Sequence, residues 1–266
     1  MKRLTLTLGL LIAFCLTNYA GSESYSGKEM KQVAPAPPPC PNWSGFYVGA
    51  FGGYKFASVD QTLELNGAWD TVSTRERDPL QVEGSGDLDT SGGEAGGLIG
   101  YNFQWNNWVL GLEAAGGYLW LRDSSAINFA VGGTSPTYEV DASFKTHYLV
   151  TVAPRIGYAF CHWMPYVTGG LAVGDIDYSQ EIINLSLTPH FIEGGSVNDT
   201  RAGWMVGGGL EYALSDHWHL RGQYQFIDFG EASFDSSTDL SGFTYTGVHK
   251  VELREHNASF AIMYKF

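Results

Sequence analysis

The chain contains eight segments in which apolar and polar residues alternate, and the connections between them are alternately long and short. A period of two is the pattern of a β-strand, because successive side chains point to opposite faces of a sheet. The long connections are polar, and the short ones are turns such as Asn106–Asn107, since Asn tolerates the positive φ of a tight hairpin. The predicted strands cover residues 45–56, 94–105, 108–120, 148–160, 165–174, 202–214, 218–229 and 257–266.

The composition agrees with an all-β chain. It has 34 Gly in 266 residues, 14% aromatic residues and 16% charged residues, which favours strands over helices. The net charge of -13 argues against a nucleic-acid partner, because phosphates require basic patches. The most apolar later stretch, residues 108–121, contains Glu113 and three glycines and is not typical of a membrane-spanning helix.

The alternation of connection lengths predicts an all-β fold, namely an eight-stranded antiparallel up-and-down transmembrane β-barrel. Such barrels have long extracellular loops and short periplasmic turns, and an even number of strands leaves both termini in the periplasm. Predicted strands of about ten residues have the length of a tilted bilayer crossing. The alternative is a soluble, lipocalin-like barrel, which would need an apolar lumen and a polar exterior.

The facing of charged and aromatic residues favours the membrane barrel, whose lumen can hold charges while its ends carry aromatic girdles. The charged residues predicted to form a network in the lumen are Glu94, Glu113, Arg155, Glu211 and Arg221. The aromatic residues predicted to lie near the short turns are Trp105, Trp108, Phe160, Trp218 and Phe266. If the last short turn is centred on Asp216, Glu211 lies directly opposite Arg221, and the two are expected to form an ion pair.

The first 42 residues are expected to lie outside the barrel. Residues 1–20 have a basic start, a short apolar run and small residues before the expected cleavage after Ala20, which is typical of a secretory signal peptide. A lipoprotein signal ending at Cys15 is the alternative. Residues 21–42 are proline-rich and predict an extended periplasmic leader. The barrel is assigned to residues 43–266.

Cys40 and Cys161 are the cysteines that remain after removal of the signal peptide. Both are expected on the periplasmic side, where an oxidising compartment permits a disulfide. The bond requires Cα atoms within about 7 Å, so residues 40–43 would have to lie over the barrel opening. Two free thiols are the alternative. The histidine spacing around these cysteines does not predict a zinc site.

Catalytic motifs such as G-x-S-x-G, H-E-x-x-H and the P-loop do not occur in the sequence. His219 and Ser259 are the pair that could act as base and nucleophile, and both are predicted to face the lumen. We interpret them as polar lumen residues. The sequence therefore predicts a protein that is not an enzyme, with no catalytic residues, cofactor or metal.

Several glycine–aromatic phrases resemble those of a known family: "WSGFYVGAFGGYKF" from Trp43, "GGLIGYNFQ" from Gly96, "VLGLEAAGGY" from Val109, "PYVTGGLAVGD" from Pro165 and "GWMVGGGLEYALSDHWHLRGQYQF" from Gly203. In this order they resemble the small outer-membrane β-barrel family, the OmpA-like or opacity-type porin family. The resemblance implies that the barrel-assembly machinery reads the last strand as an insertion signal. The residues that match the signal are Phe260, Ile262, Tyr264 and Phe266.

Three functional hypotheses follow from this fold. The first is a structural and surface-interaction protein whose acidic extracellular loops contact lipopolysaccharide through divalent cations or bind a surface ligand. The second is a narrow porin or small-ligand transport barrel, although an eight-stranded lumen is just wide enough to be filled by side chains. The third is a lipid-modifying outer-membrane enzyme. The partners expected for the first hypothesis are outer-membrane lipid, lipopolysaccharide and the barrel-assembly machinery.

Overall fold

A computed structural model describes residues 40–71, 74–130, 137–186, 191–240 and 242–266. The predicted signal peptide and the predicted leader up to residue 39 lie outside the described residues. The strands are β1 (Gly45–Gly67), β2 (Gly86–Trp105), β3 (Trp108–Ala130), β4 (Thr137–Tyr158), β5 (Trp163–Asn184), β6 (Phe191–Ala213), β7 (Trp218–Leu240) and β8 (Phe243–Lys265). A 3₁₀ turn (Ala68–Thr71) and the helix α1 (Thr74–Glu83) connect β1 to β2.

The eight strands form one closed antiparallel barrel in sequence order, which confirms the predicted fold class. Each strand pairs with the next, and β8 returns to pair with β1 from Tyr47↔Lys265 to Gly67↔Tyr245. This closure pairs the first strand with the last. Away from the short turns the ladder is interrupted at two places, because β2 pairs with β3 only up to Glu94↔Leu119 and β6 pairs with β7 only up to Trp204↔Asp228. Among the described residues, no helix is long and apolar enough to cross a membrane.

The strands are 20 to 23 residues long, about twice the predicted length. The structure therefore differs from the expectation of long loops, because most of each polar segment belongs to two strands of an extended hairpin. The β7–β8 connection consists of residues 241–242. Only the connection that carries α1 is long.

The polarity of the two faces inverts part-way along strands such as β1, so the far end of the strand has the polar composition expected of a loop. In β1, outward residues from Phe46 to Phe56 are apolar, whereas further along Ser58, Asp60 and Glu64 point outward. The inward residues change from polar to apolar, since Lys55 is followed by the buried Val59, Leu63 and Leu65. The same inversion occurs in β8, where the exposed Arg254 precedes the exposed Phe260 and Ile262.

We call the strand regions next to the short turns, with an apolar exterior, the belt half of the barrel. They are residues 45–56, 93–105, 108–120, 148–158, 163–173, 202–213, 218–227 and 256–265. The remaining strand regions form the distal half. Exposed aromatic residues ring the belt half near the short turns, including the predicted Trp105, Trp108, Phe160, Trp218 and Phe266. This arrangement is typical of a barrel that crosses a bilayer with its belt half only.

The lumen of the distal half is an apolar core. Its buried residues include Val59, Phe144, Ile176, Tyr178, Phe229 and Leu253. Nearer the mouth, Leu80 of α1 is fully buried against Leu63, Val140 and Ile182. The Gln180 side-chain amide donates a hydrogen bond to the Gly84 carbonyl at 2.7 Å, which holds the chain just after α1. Helix α1 therefore caps the distal end of the barrel.

Candidate functional site

The belt half contains a network of four charged side chains from four different strands. Arg221 contacts both acidic members, with its Nε 2.8 Å from Glu211 Oε1 and its Nη2 2.6 Å from Glu113 Oε2. Arg155 donates to Glu211 Oε1 through Nη2 and lies 3.3 Å from Glu113 Oε2 through Nη1. Two guanidinium groups therefore face two carboxylates, and the network is electrically balanced.

Aromatic side chains and glycines complete the environment of this network. The Tyr47 hydroxyl donates to Glu113 Oε2 at 2.7 Å, and the Tyr166 ring lies 4.1 Å from the Arg155 guanidinium carbon. A Cβ at Gly111 would come within 2.9 Å of Arg155 Cγ, so glycine gives the guanidinium side chain its space in the lumen. The network joins β3, β4, β6 and β7 across the lumen of the belt half.

The structure brings together four of the five predicted lumen charges and separates the fifth. Glu94 lies in a second cluster, 3.9 Å from Lys55 Nζ, and Lys55 forms its closer ion pair with Glu255 at 2.6 Å. Sequence reasoning did not assign Lys55 and Glu255 to the lumen network. The alternating pattern of the strands could have identified them, because Lys55 occupies an inward position on β1 and Glu255 an inward position on β8. Glu255 was missed because it precedes the predicted last strand.

The start of the described chain closes the short-turn end of the lumen. Cys40 and Cys161 form a disulfide with their Cα atoms 4.7 Å apart. Trp43 is fully buried in the opening with Met164 and Ala213, and its Nε1 donates to the Cys161 carbonyl at 3.1 Å. The residues from Cys40 to Trp43 thus cross the opening, and Lys265 Nζ donates to the Asn42 carbonyl at its rim.

His219 and Ser259 are not placed as a catalytic pair. Both are buried, but Ser259 pairs with Gln223 while His219 pairs with Met263, so they are four positions apart along β7 (219 to 223). At about 3.3 Å per residue, this offset is far beyond hydrogen-bond reach. The His219 ring instead packs edge-on against Trp43 with a centroid distance of 4.8 Å. Among the described residues, no group of three or more His, Cys, Asp or Glu could hold a metal.

The residues of the predicted insertion signal lie on the outer face of the belt half. Phe260 is 78% exposed and Phe266 71% exposed, and Ile262 is also exposed, whereas Tyr264 is half-buried. The Phe266 backbone amide donates to the Phe46 carbonyl at 2.9 Å, so β8 is paired with β1 up to its last residue. The side chains of the signal remain available on the exterior.

Comparison with known proteins places the chain in a family. The family model described as "Outer membrane protein beta-barrel domain" matches residues 33–266. The chain belongs to this outer-membrane β-barrel family. It is 32% identical over 193 residues to the 31 kDa outer-membrane immunogenic protein of Brucella melitensis, a match that covers 71% of this chain and 72% of that protein.

Two further matches extend this comparison. The 25 kDa outer-membrane immunogenic protein of Brucella abortus is 24% identical over 240 residues, and 88% of each chain is covered. Among solved structures, the outer membrane protease OmpT from Escherichia coli matches with a TM-score of 0.45 and 9% identity, and the match covers 84% of this chain and 97% of that one. A structural similarity this low gives no information about activity. Family membership confirms the predicted resemblance and the location in the outer membrane.

A buried histidine in the distal half joins the core to the α1 cap. His249 Nδ1 is 2.7 Å from Gln180 Oε1, and Gln180 donates to the Gly84 carbonyl that follows α1. The other ring nitrogen lies 3.0 Å from Ser236 Oγ, and the ring stacks on Phe234. Because Gln180 already donates through its amide, its oxygen accepts from His249, which places a proton on Nδ1.

Breaking the belt network at Glu211 should destabilise the barrel by roughly 3 kcal/mol, because Glu211→Gln leaves two buried guanidinium groups to share the single carboxylate of Glu113. The exchange Glu211→Arg with Arg221→Glu should not restore stability, since it places like charges beside Arg155 and Glu113. Urea unfolding in detergent micelles measures both variants. Glu64→Gln is the control, because its exposed pair with Lys250 should contribute less than about 1 kcal/mol. A charge-exchanged variant as stable as the wild type would contradict the four-residue network.

Acidification should weaken the distal half through His249. Burial lowers the pKa of His249 from 6.5 to about 4, although the nearby Asp235 acts in the opposite direction. The unfolded chain therefore binds the proton more readily, so His249 favours folding at neutral pH. Roughly 3 kcal/mol of this advantage is lost as pH falls from about 7 to about 4. Urea midpoints at pH 7 and pH 4.5 should differ less in His249→Gln than in the wild type, whereas His217→Gln, at an exposed site, should behave as the wild type.

Proposed function

We propose that this protein is a non-conducting structural barrel of the outer membrane that displays a rigid, acidic surface outside the cell. The observation that carries the proposal is the filled lumen. Trp43 occupies one end, and the Arg155–Glu211–Arg221–Glu113 network fills the belt half. An apolar core and α1 fill the distal half among the described residues. A solute on this path would have to displace buried charges and a packed core.

The orientation proposed for the barrel puts the short turns and both chain ends in the periplasm. Short periplasmic turns are the rule for such barrels. The Cys40–Cys161 disulfide at the short-turn end is compatible with that oxidising compartment. The distal half then projects from the cell surface. The Brucella relatives are named outer-membrane immunogenic proteins, which supports exposure of part of the fold to the outside.

The exposed face of the distal half carries the acidic residues that the sequence assigned to a loop. Asp60, Glu64, Asp87 and Asp89 point outward from β1 and β2, and Asp235 and Asp239 point outward from β7. We propose that this face contacts lipopolysaccharide through shared divalent cations and presents a surface for a basic ligand. A rigid β-structure suits a display role, because its exposed side chains keep fixed spacings.

The transport and enzyme hypotheses receive less support. A narrow porin needs a continuous path, which the filled lumen does not provide. A lipid-modifying enzyme needs a nucleophile within reach of a base, and Ser259 and His219 are too far apart for these roles. Mass analysis of lipid A from cells that overproduce the protein tests the enzyme hypothesis, and a modified lipid A that requires His219 would support it.

In planar bilayers, the purified protein should give no discrete channel openings. The physical reason is the packed lumen, and a porin inserted into the same bilayers is the control that shows openings can be detected. Trp43→Ala should also remain closed, because the belt network and the distal core are unchanged. Reproducible openings of the wild-type protein would overturn the non-conducting role.

Cysteine labelling on intact cells tests the orientation. Asp239→Cys lies at the tip of the β7–β8 hairpin, and Asp216→Cys lies in a short turn; both positions are exposed. A membrane-impermeant maleimide should label position 239 on intact cells and position 216 only after lysis. The native pair Cys40–Cys161 is bonded and should give little background. Labelling in the reverse order would require the opposite orientation.

We also propose that the outward face of β8 is the signal read by the barrel-assembly machinery. Phe266→Ala should lower the amount of protein in the outer membrane much more than it lowers refolding in detergent, because the side chain lies on the exterior and packs little. Phe46→Ala is the matched control, since Phe46 is exposed at the same end of the barrel but on β1. Equal losses in cells and in detergent would assign Phe266 a packing role instead.

A further inference from the structure

A second cluster of buried charges lies in the lumen between the belt network and the distal core. Lys55 and Glu255 are fully buried, and Glu94 is nearly so. Lys55 Nζ is 2.6 Å from Glu255 Oε2 but 3.9 Å from Glu94 Oε2, so one ammonium group serves two carboxylates unequally. Of the two carboxylates, Glu94 lies farther from the ammonium group and therefore forms the weaker ion pair.

The charges of this part of the lumen do not balance. The belt network contains two arginines and two glutamates and is neutral. The Lys55 cluster contains one lysine and two glutamates, which leaves one surplus negative charge when all groups are ionised. An uncompensated charge in a low-dielectric interior is strongly unfavourable, so a counterion or a proton must offset it.

Unused oxygen atoms show where the compensating group would bind. Glu94 Oε1 and Asn257 Oδ1 are buried and have no hydrogen-bond partner among the described residues. Both residues line a cavity of about 30 Å³, together with the polar Gln225 and Ser259 and with Glu113 and Arg221 of the belt network. Buried polar atoms are nearly always paired, and a cavity of this size has room for about two atoms the size of water.

We propose that this cavity binds one monovalent cation of sodium or potassium size, with Glu94 Oε1 and Asn257 Oδ1 as its protein ligands. A carboxylate and an amide carbonyl are hard oxygen ligands suited to such ions. The ion would satisfy both unpaired oxygens and neutralise the surplus charge in one step. The charged residues of the lining are Glu94, Glu113 and Arg221, and their net charge of -1 favours a monovalent over a divalent ion. Because the lumen is closed at both ends, the ion would be taken up as the barrel folds.

The proposal is tested by refolding the full mature chain into detergent at pH 8 in sodium, potassium or choline chloride of equal ionic strength. Choline is too large for the cavity. The thermal unfolding midpoint, read from the gel shift between folded and boiled protein, should be about 5–10 °C higher in sodium or potassium, as expected for an ion at about 100 times its Kd. Equal midpoints in all three salts would overturn the proposal. The surplus charge would then be neutralised by a proton on Glu94, and water would occupy the cavity.

Two variants and a heavier ion test whether the cation binds at Glu94 and Asn257. In Glu94→Gln the salt-dependent difference should disappear, whereas Glu64→Gln, at an exposed site, should retain it. A difference that persists in Glu94→Gln would place the ion elsewhere and overturn the assignment. If Glu94→Gln does not refold, crystals of the wild type refolded in thallium nitrate decide the question. Anomalous density between Glu94 and Asn257 is expected, and its absence would overturn the site.

Discussion

The structure depends on closure of the β-ladder between β1 and β8. Within a bilayer each unpaired backbone amide and carbonyl is costly, so a spanning sheet has to close on itself. The pairing runs from Tyr47↔Lys265 to Gly67↔Tyr245 without interruption. Once this register is set, alternate residues of β1 and β8 are committed to the lumen. The contents of the lumen therefore follow from the closure of the wall.

The surroundings of the wall decide what can fill the lumen. Around the distal half the exterior is charged, so apolar side chains such as Phe144 and Leu253 gain free energy by facing inward. Around the belt half the exterior is apolar, and burying apolar groups in the lumen offers little advantage over exposing them to lipid. Polar and charged side chains fill that part instead, and they are stable because Glu113, Arg155, Glu211 and Arg221 satisfy one another.

The two ends of the lumen are closed by different means. At the short-turn end, the Cys40–Cys161 disulfide fixes the entering chain to the β4–β5 turn and keeps Trp43 in the opening. At the distal end, α1 packs Leu80 onto the core and is joined to His249 through Gln180. The first closure is covalent, whereas the second depends on packing and hydrogen bonds.

The sequence by itself determined the properties that depend on neighbours along the chain. Strand character, the facing of each residue, the short turns and the aromatic belt could be predicted, because period-two alternation is encoded locally. The opposition of Glu211 and Arg221 could also be predicted, since a tight turn sets the register of its own hairpin.

Only the tertiary structure decided which lumen residues meet. The joining of Arg155 to Glu211, the separation of Glu94 into the Lys55 cluster and the seating of Trp43 depend on how eight tilted strands are staggered around a closed wall. The doubled strand length was missed because the alternation beyond Phe56 continues with its polarity reversed. The chain alone does not show where lipid ends and water begins, and that boundary determines which face of a strand must be apolar.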